Sequence, residues 1–270
     1  TRRRSRSCLL QAKNESQVLA AVGRIAYLQG MTRIKSLEGV HNFRHFHGYQ
    51  TVDGARVRDG LYRSGHFSRS SEADRELIRA LGIAVIADLR RPREREAEPS
   101  AWPTDHALRV ISSDADDDGE PPHLKFLRTG DHSLEAVRAY MQSAYRRIPQ
   151  EKGNQSVFRE GFRALASGEA DAGFLVHCAA GKDRTGLTAA LLLSLLGAPR
   201  DHIFADYLRT NDLWRPDPQL SGYVDEAARS AMFSVHPEYL EEALGALDAH
   251  HGGPAAFAAK ALGGGAAAHP

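Results

Sequence analysis

Cysteine is almost missing from this chain of 270 residues, which holds only Cys8 and Cys178. Two thiols build no disulfide framework, so the small stapled scaffolds of secreted domains are excluded. Net charge is nearly absent too: 35 Lys and Arg stand against 34 Asp and Glu, leaving +1 with histidine neutral. No global field therefore draws the chain to nucleic acid or to another polyanion. Long hydrophobic runs are lacking as well. The most apolar stretch, residues 187–196, falls short of the ~20 residues of a membrane-spanning helix and reads as a core helix. What remains is enough for one sizeable domain, burying about three quarters of its unfolded surface.

The informative stretch is Phe174-Leu175-Val176-His177-Cys178-Ala179-Ala180-Gly181-Lys182-Asp183-Arg184-Thr185-Gly186. Residues 173–177 read as a short apolar strand and 187–196 as an apolar helix, so the loop between them lies at a helix N-terminus. Free N–H groups and the helix dipole attract anions there, and a cysteine sulfur so placed is easier to ionise. Cys178 is then a nucleophile for phosphorus. Arg184, six positions later, offers a planar fork for two phosphate oxygens. Gly181 and Gly186 permit close backbone approach. Thr185 has a hydroxyl for the departing sulfur, Lys182 a second cation, and Asp183 a carboxyl for the leaving oxygen. Ala179, Ala180, Gly181, Lys182, Thr185 and Gly186 would bind substrate, while Cys178, Arg184 and Asp183 would carry the chemistry. Reducing conditions suit this site, because pairing Cys8 with Cys178 would silence it.

Other readings of the same loop exist. A buried cysteine is commonly a small hydrophobe. A nucleotide-binding Gly-Lys-Ser/Thr pattern fails, since Asp183 follows Lys182. A rhodanese-like sulfur transferase keeps a loop cysteine, and an inactive phosphopeptide-binding module keeps the arginine and the glycines. The transferase has no need of Asp183, however, and the binding module none of Cys178.

His177-Cys178-x5-Arg184-Thr185-Gly186 resembles the signature of the cysteine-dependent protein tyrosine phosphatase superfamily. The fuller His-Cys-Ala-Ala-Gly-Lys-Asp-Arg-Thr-Gly run is similar to that of the bacterial atypical tyrosine and phosphoinositide phosphatases, some of which pathogens secrete into host cells. Further segments fit: Asn42-Phe43-Arg44 with Gly48, Leu61-Tyr62-Arg63-Ser64, Asp88-Leu89-Arg90 with Glu94, Asp206-Tyr207-Leu208 with Thr210-Asn211, and His236-Pro237-Glu238-Tyr239-Leu240. The likeness spans about residues 36–262 and departs at His66-Phe67, where a small residue and a leucine are expected. It implies an α/β fold, with a central mixed, mainly parallel sheet flanked by helices and a helical lid at about 123–168. The phosphatase domain would cover 31–262, after a flexible extension (1–30) and before a disordered tail (263–270). The implied activity is metal-independent, cofactor-free hydrolysis of phosphate monoesters through a phosphocysteine, with broad specificity. Phosphotyrosine would be the main substrate, beside phosphoserine, phosphothreonine or phosphoinositides. Lys182 resembles its counterpart in the animal lipid phosphatases. Phosphorylated protein or phosphoinositide is thus the expected partner, with no nucleic acid and no stable membrane insertion. The expected location is the cytoplasm, or outside the cell without a recognisable signal peptide.

The general acid is open between three carboxyls. Asp183 is preferred, inside the loop. Asp88 comes second: with Arg90 it ends the apolar strand 83–89, and the ends of adjacent parallel strands share one crevice. A plain strand-end ion pair is the competing account of Asp88 and Arg90. Asp105 is third, because Trp102-Pro103-Thr104-Asp105 only approximates a Trp-Pro-Asp loop.

Elsewhere, Asp53-Gly54 marks a hairpin within 49–57, and 71–82 reads as a helix capped by Ser71 and stopped by Gly82. Residues 112–131 read as a mobile acidic surface loop; their calcium-like Asp114-x-Asp116-x-Asp118-Gly119 start fails where Lys125 replaces the required glutamate. Helical spacing follows over 134–148, then over about 156–165 with Gly168 as cap, and from Pro199 to about 262 with breaks at Pro216, Pro218 and Gly252-Gly253. Among the 13 histidines, His41, His45 and His47 cluster, but in a turn without cysteines, so a structural role is expected. His177 is expected to brace the loop. The basic run Arg2-Arg3-Arg4-Ser5-Arg6 reads as part of the extension, with contact to anionic lipid as the second reading.

Overall fold

Two short apolar runs and the mixed segment Leu61–Ser64 bury both faces, the pattern of strands inside a parallel sheet covered on both sides. In the computed structural model, which describes residues 37–103, 107–115, 122–214, 216 and 225–261, they form the sheet centre. The strands are β1 (Arg44–His45), β2 (Leu61–Ser64), β3 (Val85–Asp88), β4 (Arg109–Ile111) and β5 (Phe174–His177). Their order is β1-β2-β5-β3-β4. Only β1 runs antiparallel to its neighbour; β2, β5, β3 and β4 are parallel. The expected mixed, mainly parallel α/β sheet is what the chain forms.

The period of two sorts the side chains. Leu61, Val85, Ala87, Phe174 and Val176 enter the larger core, while Tyr62, Ile86 and Leu175 enter a smaller one. The smaller core is closed by Ile78 of helix α1 (Glu72–Ala80) and by Phe67. Ser71 caps α1 in a reciprocal box with Asp74, and Gly82 follows with φ +65°. The larger core is covered by α5 (Lys152–Ser167) and by α6 (Asp183–Leu195), which buries residues all round. Between these lie α2 (Pro92–Ala97), α3 (Pro122–Thr129) and α4 (Leu134–Arg147). Beyond α6 come α7 (Arg200–Leu208), α8 (Thr210–Leu213), α9 (Glu226–Phe233), α10 (Pro237–His251) and α11 (Pro254–Ala261). Among the described residues, no helix is long and apolar enough to cross a membrane.

Two local expectations need correction. Residues 112–131 are not wholly loop: α3 occupies Pro122–Thr129, where Phe126 stacks on Tyr140 at 4.1 Å between ring centres. The acidic turn formers around it mask the short His-Leu-Lys-Phe-Leu run. The helix read at 156–165 starts at Lys152, because Asn154 turns inward and its Nδ2 donates to the Ile148 carbonyl at 3.0 Å. Gly168 ends it with φ +84°. The hairpin at 49–57 is small, bridging Gln50 to Arg56 around Gly54.

Candidate active site

Parallel pairing puts three strand ends side by side. His177 lies opposite Ser64 of β2 on one flank and opposite Asp88 of β3 on the other. The chain leaves β5 at that level and re-enters helix at Asp183, so the loop 178–182 fills the crevice beyond the strand ends.

The loop is shaped from behind. The Ala179 carbonyl accepts from the His66 amide at 3.0 Å. The Gly181 carbonyl accepts from Asn42 Nδ2 at 2.7 Å and Arg63 Nη2 at 3.1 Å, and Asn42 Nδ2 lies 3.3 Å from the Ala180 carbonyl. In a planar trans peptide the N–H points opposite the C=O. Tying these three carbonyls outward therefore turns the amides of Ala180, Gly181 and Lys182 inward, toward the Cys178 side. Gly181 is required for this close fit. Its φ is +68°, and a Cβ there would stand 2.3 Å from the Ser64 carbonyl oxygen.

The supports are themselves locked. Arg63 donates to Asp206 at 2.6 Å, and Arg44 reaches the other oxygen of the same carboxylate at 3.3 Å. Arg44 also bonds the Asp206 carbonyl, Thr210 and Asn42. All are buried. Segments separated by more than 100 residues, which resemblance alone grouped, thus meet as one polar cluster under the loop. Burial opposes ionisation of Asp206, but the two guanidiniums overcome it and hold the carboxyl below its ordinary range. Burial, aided by Arg63, lowers Arg44 to about 9.

Cys178 is buried at the floor of a cavity of about 240 Å³. Arg184 is held in a two-point grip by Glu94, at 2.6 and 2.7 Å, and donates to the Leu89 carbonyl at 2.8 Å. Burial raises the cost of the Glu94 charge, yet Arg184 prevails and brings the carboxyl down to about 2. The same pairing raises Arg184 against its own burial. Asp183 lines the cavity and accepts from Tyr145 Oη at 2.6 Å. Lys182 is buried in the wall: its Nζ donates to the Met232 carbonyl at 2.9 Å, lies 5.4 Å from the Trp214 ring centre, and stands 3.6 Å from Asp183. Thr185 is fully buried, and its Oγ1 has no hydrogen-bond partner among the described residues, so it is not bonded to the sulfur here.

Helices α3 and α4 provide the opposite wall through Leu127, Tyr140, Met141 and Tyr145. His123 lines the same wall. By contrast, α5 buries Val157, Phe158 and Phe162 in the core and supports the sheet.

Asp88 and Arg90 stand at the β3 end beside the loop but outside the cavity. They form a buried ion pair at 2.7 Å, and neither lines the cavity. Arg90 also donates to the Glu98 carbonyl and to Ser100, tying the β3 end to the following segment. His177, fully buried, stands with Nε2 3.5 Å from Asp88 and Nδ1 3.2 Å from the Cys178 carbonyl. Asp105 lies outside the described residues. His45 and His47 pack ring to ring at 4.2 Å, and no described group of His, Cys, Asp and Glu is arranged to hold a metal. Two residues escaped sequence reasoning about the site: Glu94, noted only as part of a similar segment, and Tyr145, covered only by the helical spacing over 134–148. No spacing links either to residues 183–184.

A loop of this kind, with amides turned inward around a buried sulfur and a guanidinium at its rim, defines the phosphate-binding loops of α/β phosphatases. The model of the tyrosine phosphatase family matches residues 35–269, and the chain belongs to that family. It is 36% identical over 213 residues to the triple specificity protein phosphatase PtpB of Mycobacterium tuberculosis, covering 72% of this chain and 74% of that one. It is 31% identical over 228 residues to a putative tyrosine-protein phosphatase of Cupriavidus necator, covering 80% of each. A tyrosine-protein phosphatase of Nostoc commune is 31% identical over 149 residues, 55% of this chain and 47% of that protein.

Proposed function

We propose that this phosphatase hydrolyses phosphate monoesters in two steps on Cys178, with Asp183 as general acid and then base. The observation that carries the reading is the outward tethering of the 179–181 carbonyls. It aims successive amides at the place where equatorial phosphoryl oxygens gather charge, and such preorganised donors supply most of the stabilisation in phosphoryl transfer. Arg184 adds a fork already oriented by Glu94. The sulfur attacks phosphorus while Asp183 protonates the departing oxygen; water, deprotonated by Asp183, then releases phosphate.

Breadth of substrate follows from the walls. Met141, Leu127, Trp214 and Phe233 give an apolar slot that accepts an aryl ring, while α3 and α4 act as a lid of adjustable width. We assign phosphotyrosine as the main substrate, with phosphoserine, phosphothreonine and phosphoinositide headgroups also admitted, in line with the triple specificity named for the mycobacterial relative. Lys182, in this resting arrangement, lends its charge from within the wall.

The test is metal-free hydrolysis of p-nitrophenyl phosphate. Cys178→Ser is expected to abolish turnover while still binding vanadate or phosphate, and Asp183→Asn to lose ~100-fold or more, the scale of a missing general acid. Turnover retained by Cys178→Ser would end the phosphocysteine reading.

A further inference from the structure

Asp183 is held from behind by two phenols in series. Tyr207 Oη donates to Tyr145 Oη at 2.7 Å, and Tyr145 Oη donates to Asp183 Oδ1 at 2.6 Å. Both tyrosines are fully buried. A phenol has one proton. Once Tyr145 spends its proton on the carboxylate, its lone pair is what meets Tyr207, so both protons point one way. The rings have little freedom: Tyr207 packs so tightly that a Cβ on Gly186 would lie 2.9 Å from it, and Tyr145 lies 5.4 Å from Tyr239. Tyr239 takes no part in the chain, because its hydroxyl donates to the Ala231 carbonyl at 2.9 Å.

We propose that Tyr145 and Tyr207 are positioning residues whose directed hydrogen bonds engage Asp183 through Oδ1 and reserve Oδ2 for the leaving group. The inference rests on the reading of Asp183 as general acid. No described residue donates to Oδ2, and Asp183 keeps a face in the cavity. In the first step the Oδ2 proton passes to the ester oxygen as that oxygen takes the electron pair of its bond to phosphorus and sulfur forms the new one. The carboxylate left behind is met by the Tyr145 proton already in place. In the second step Oδ2 takes a proton from water as the water oxygen bonds to phosphorus and the electron pair of the S–P bond returns to sulfur. Neither phenol gives up its proton at any stage, in keeping with the strong upward push that burial and then Asp183 exert on both tyrosines.

A series of aryl phosphates with increasingly basic leaving groups decides the matter, with kcat/KM reporting the first chemical step. Wild type should depend weakly on leaving-group basicity and Asp183→Asn steeply. Tyr145→Phe, which keeps the ring, should fall about tenfold on the most basic leaving group and little on the least basic, as one charge-assisted hydrogen bond is lost. Adding Tyr145→Phe to Asp183→Asn should cost nothing further, since the two act through one interaction. An equal loss across the series, or an additive loss in the double variant, overturns the proposal. Should Tyr145→Phe fold poorly, Tyr207→Phe decides: a smaller steepening in the same sense supports the chain, and an unchanged slope overturns it. A flat series for Asp183→Asn itself would remove the acid assignment and this inference with it, while turnover by Cys178→Ser would strike at the phosphatase reading alone.

Discussion

At the scale of single residues, the site depends on contacts that leave no room for an added atom. Gly181 is the clearest case, combining left-handed backbone with a 2.3 Å approach of the missing Cβ to Ser64. Gly181→Ala must push the loop off the β2 end and misdirect at least one inward amide. We expect kcat/KM to fall about 100-fold, the cost of losing one well-placed oxyanion donor, with phosphate affinity falling in parallel by isothermal titration. Gly54→Ala is the control. It shares the sign of φ at +86° but faces open space, so it should cost roughly 1–2 kcal/mol of strain and leave turnover intact. Glu94 matters at the same scale. Glu94→Gln removes the charge opposite Arg184 and should destabilise the fold by roughly 3 kcal/mol, the low end for a broken buried pair, measured by urea unfolding.

Among the described elements, α3 lies beside the cavity without a buried residue. Phe126, stacked on Tyr140, and Leu127 pack half-buried against the larger core, whereas α4 buries Val137, Met141 and Tyr145. Few buried contacts mean low local stability. Amides of α3 should therefore exchange with solvent well before those of α4, and Phe126→Ala should speed exchange in α3 while shifting the global unfolding midpoint little. Shortness explains why α3 was hidden in the sequence: eight residues give only about two turns, and the acidic, turn-rich surroundings dominate the reading. Strong elements were legible for the opposite reason: α1 has its Ser71 cap and Gly82 stop, and β5 its uninterrupted apolar run. The loop itself was legible because its chemistry is local, with Cys178, Asp183 and Arg184 seven positions end to end. What lay beyond reach was long-range: Tyr145 and Glu94 join the site only through the fold, 38 and 90 residues from their partners.

The whole molecule should lose stability in acid, in two ways that share a cause. Glu94 falls from 4.5 to about 2 on folding, so its contribution is complete above the unfolded value and fades as pH drops through the folded one. That window, between about 4.5 and 2, is worth roughly 3 kcal/mol at most. Asp206, also depressed, acts in the same direction. Urea unfolding across that range should therefore show stability falling as pH falls, with Glu94→Gln flattening the curve. Asp206 carries the larger structural duty, since two buried guanidiniums, those of Arg44 and Arg63, share its single carboxylate. Asp206→Asn should cost about 3–5 kcal/mol, because both cations would be left without a partner charge. Even in the intact protein, that cluster is one positive charge in excess directly beneath a ring of inward amides. On the proposed function, the substrate's phosphoryl group would be the counterion to that excess. Simple oxyanions of the right shape, with no organic portion at all, should accordingly behave as folding ligands, raising the melting temperature in proportion to the logarithm of their concentration once above saturation.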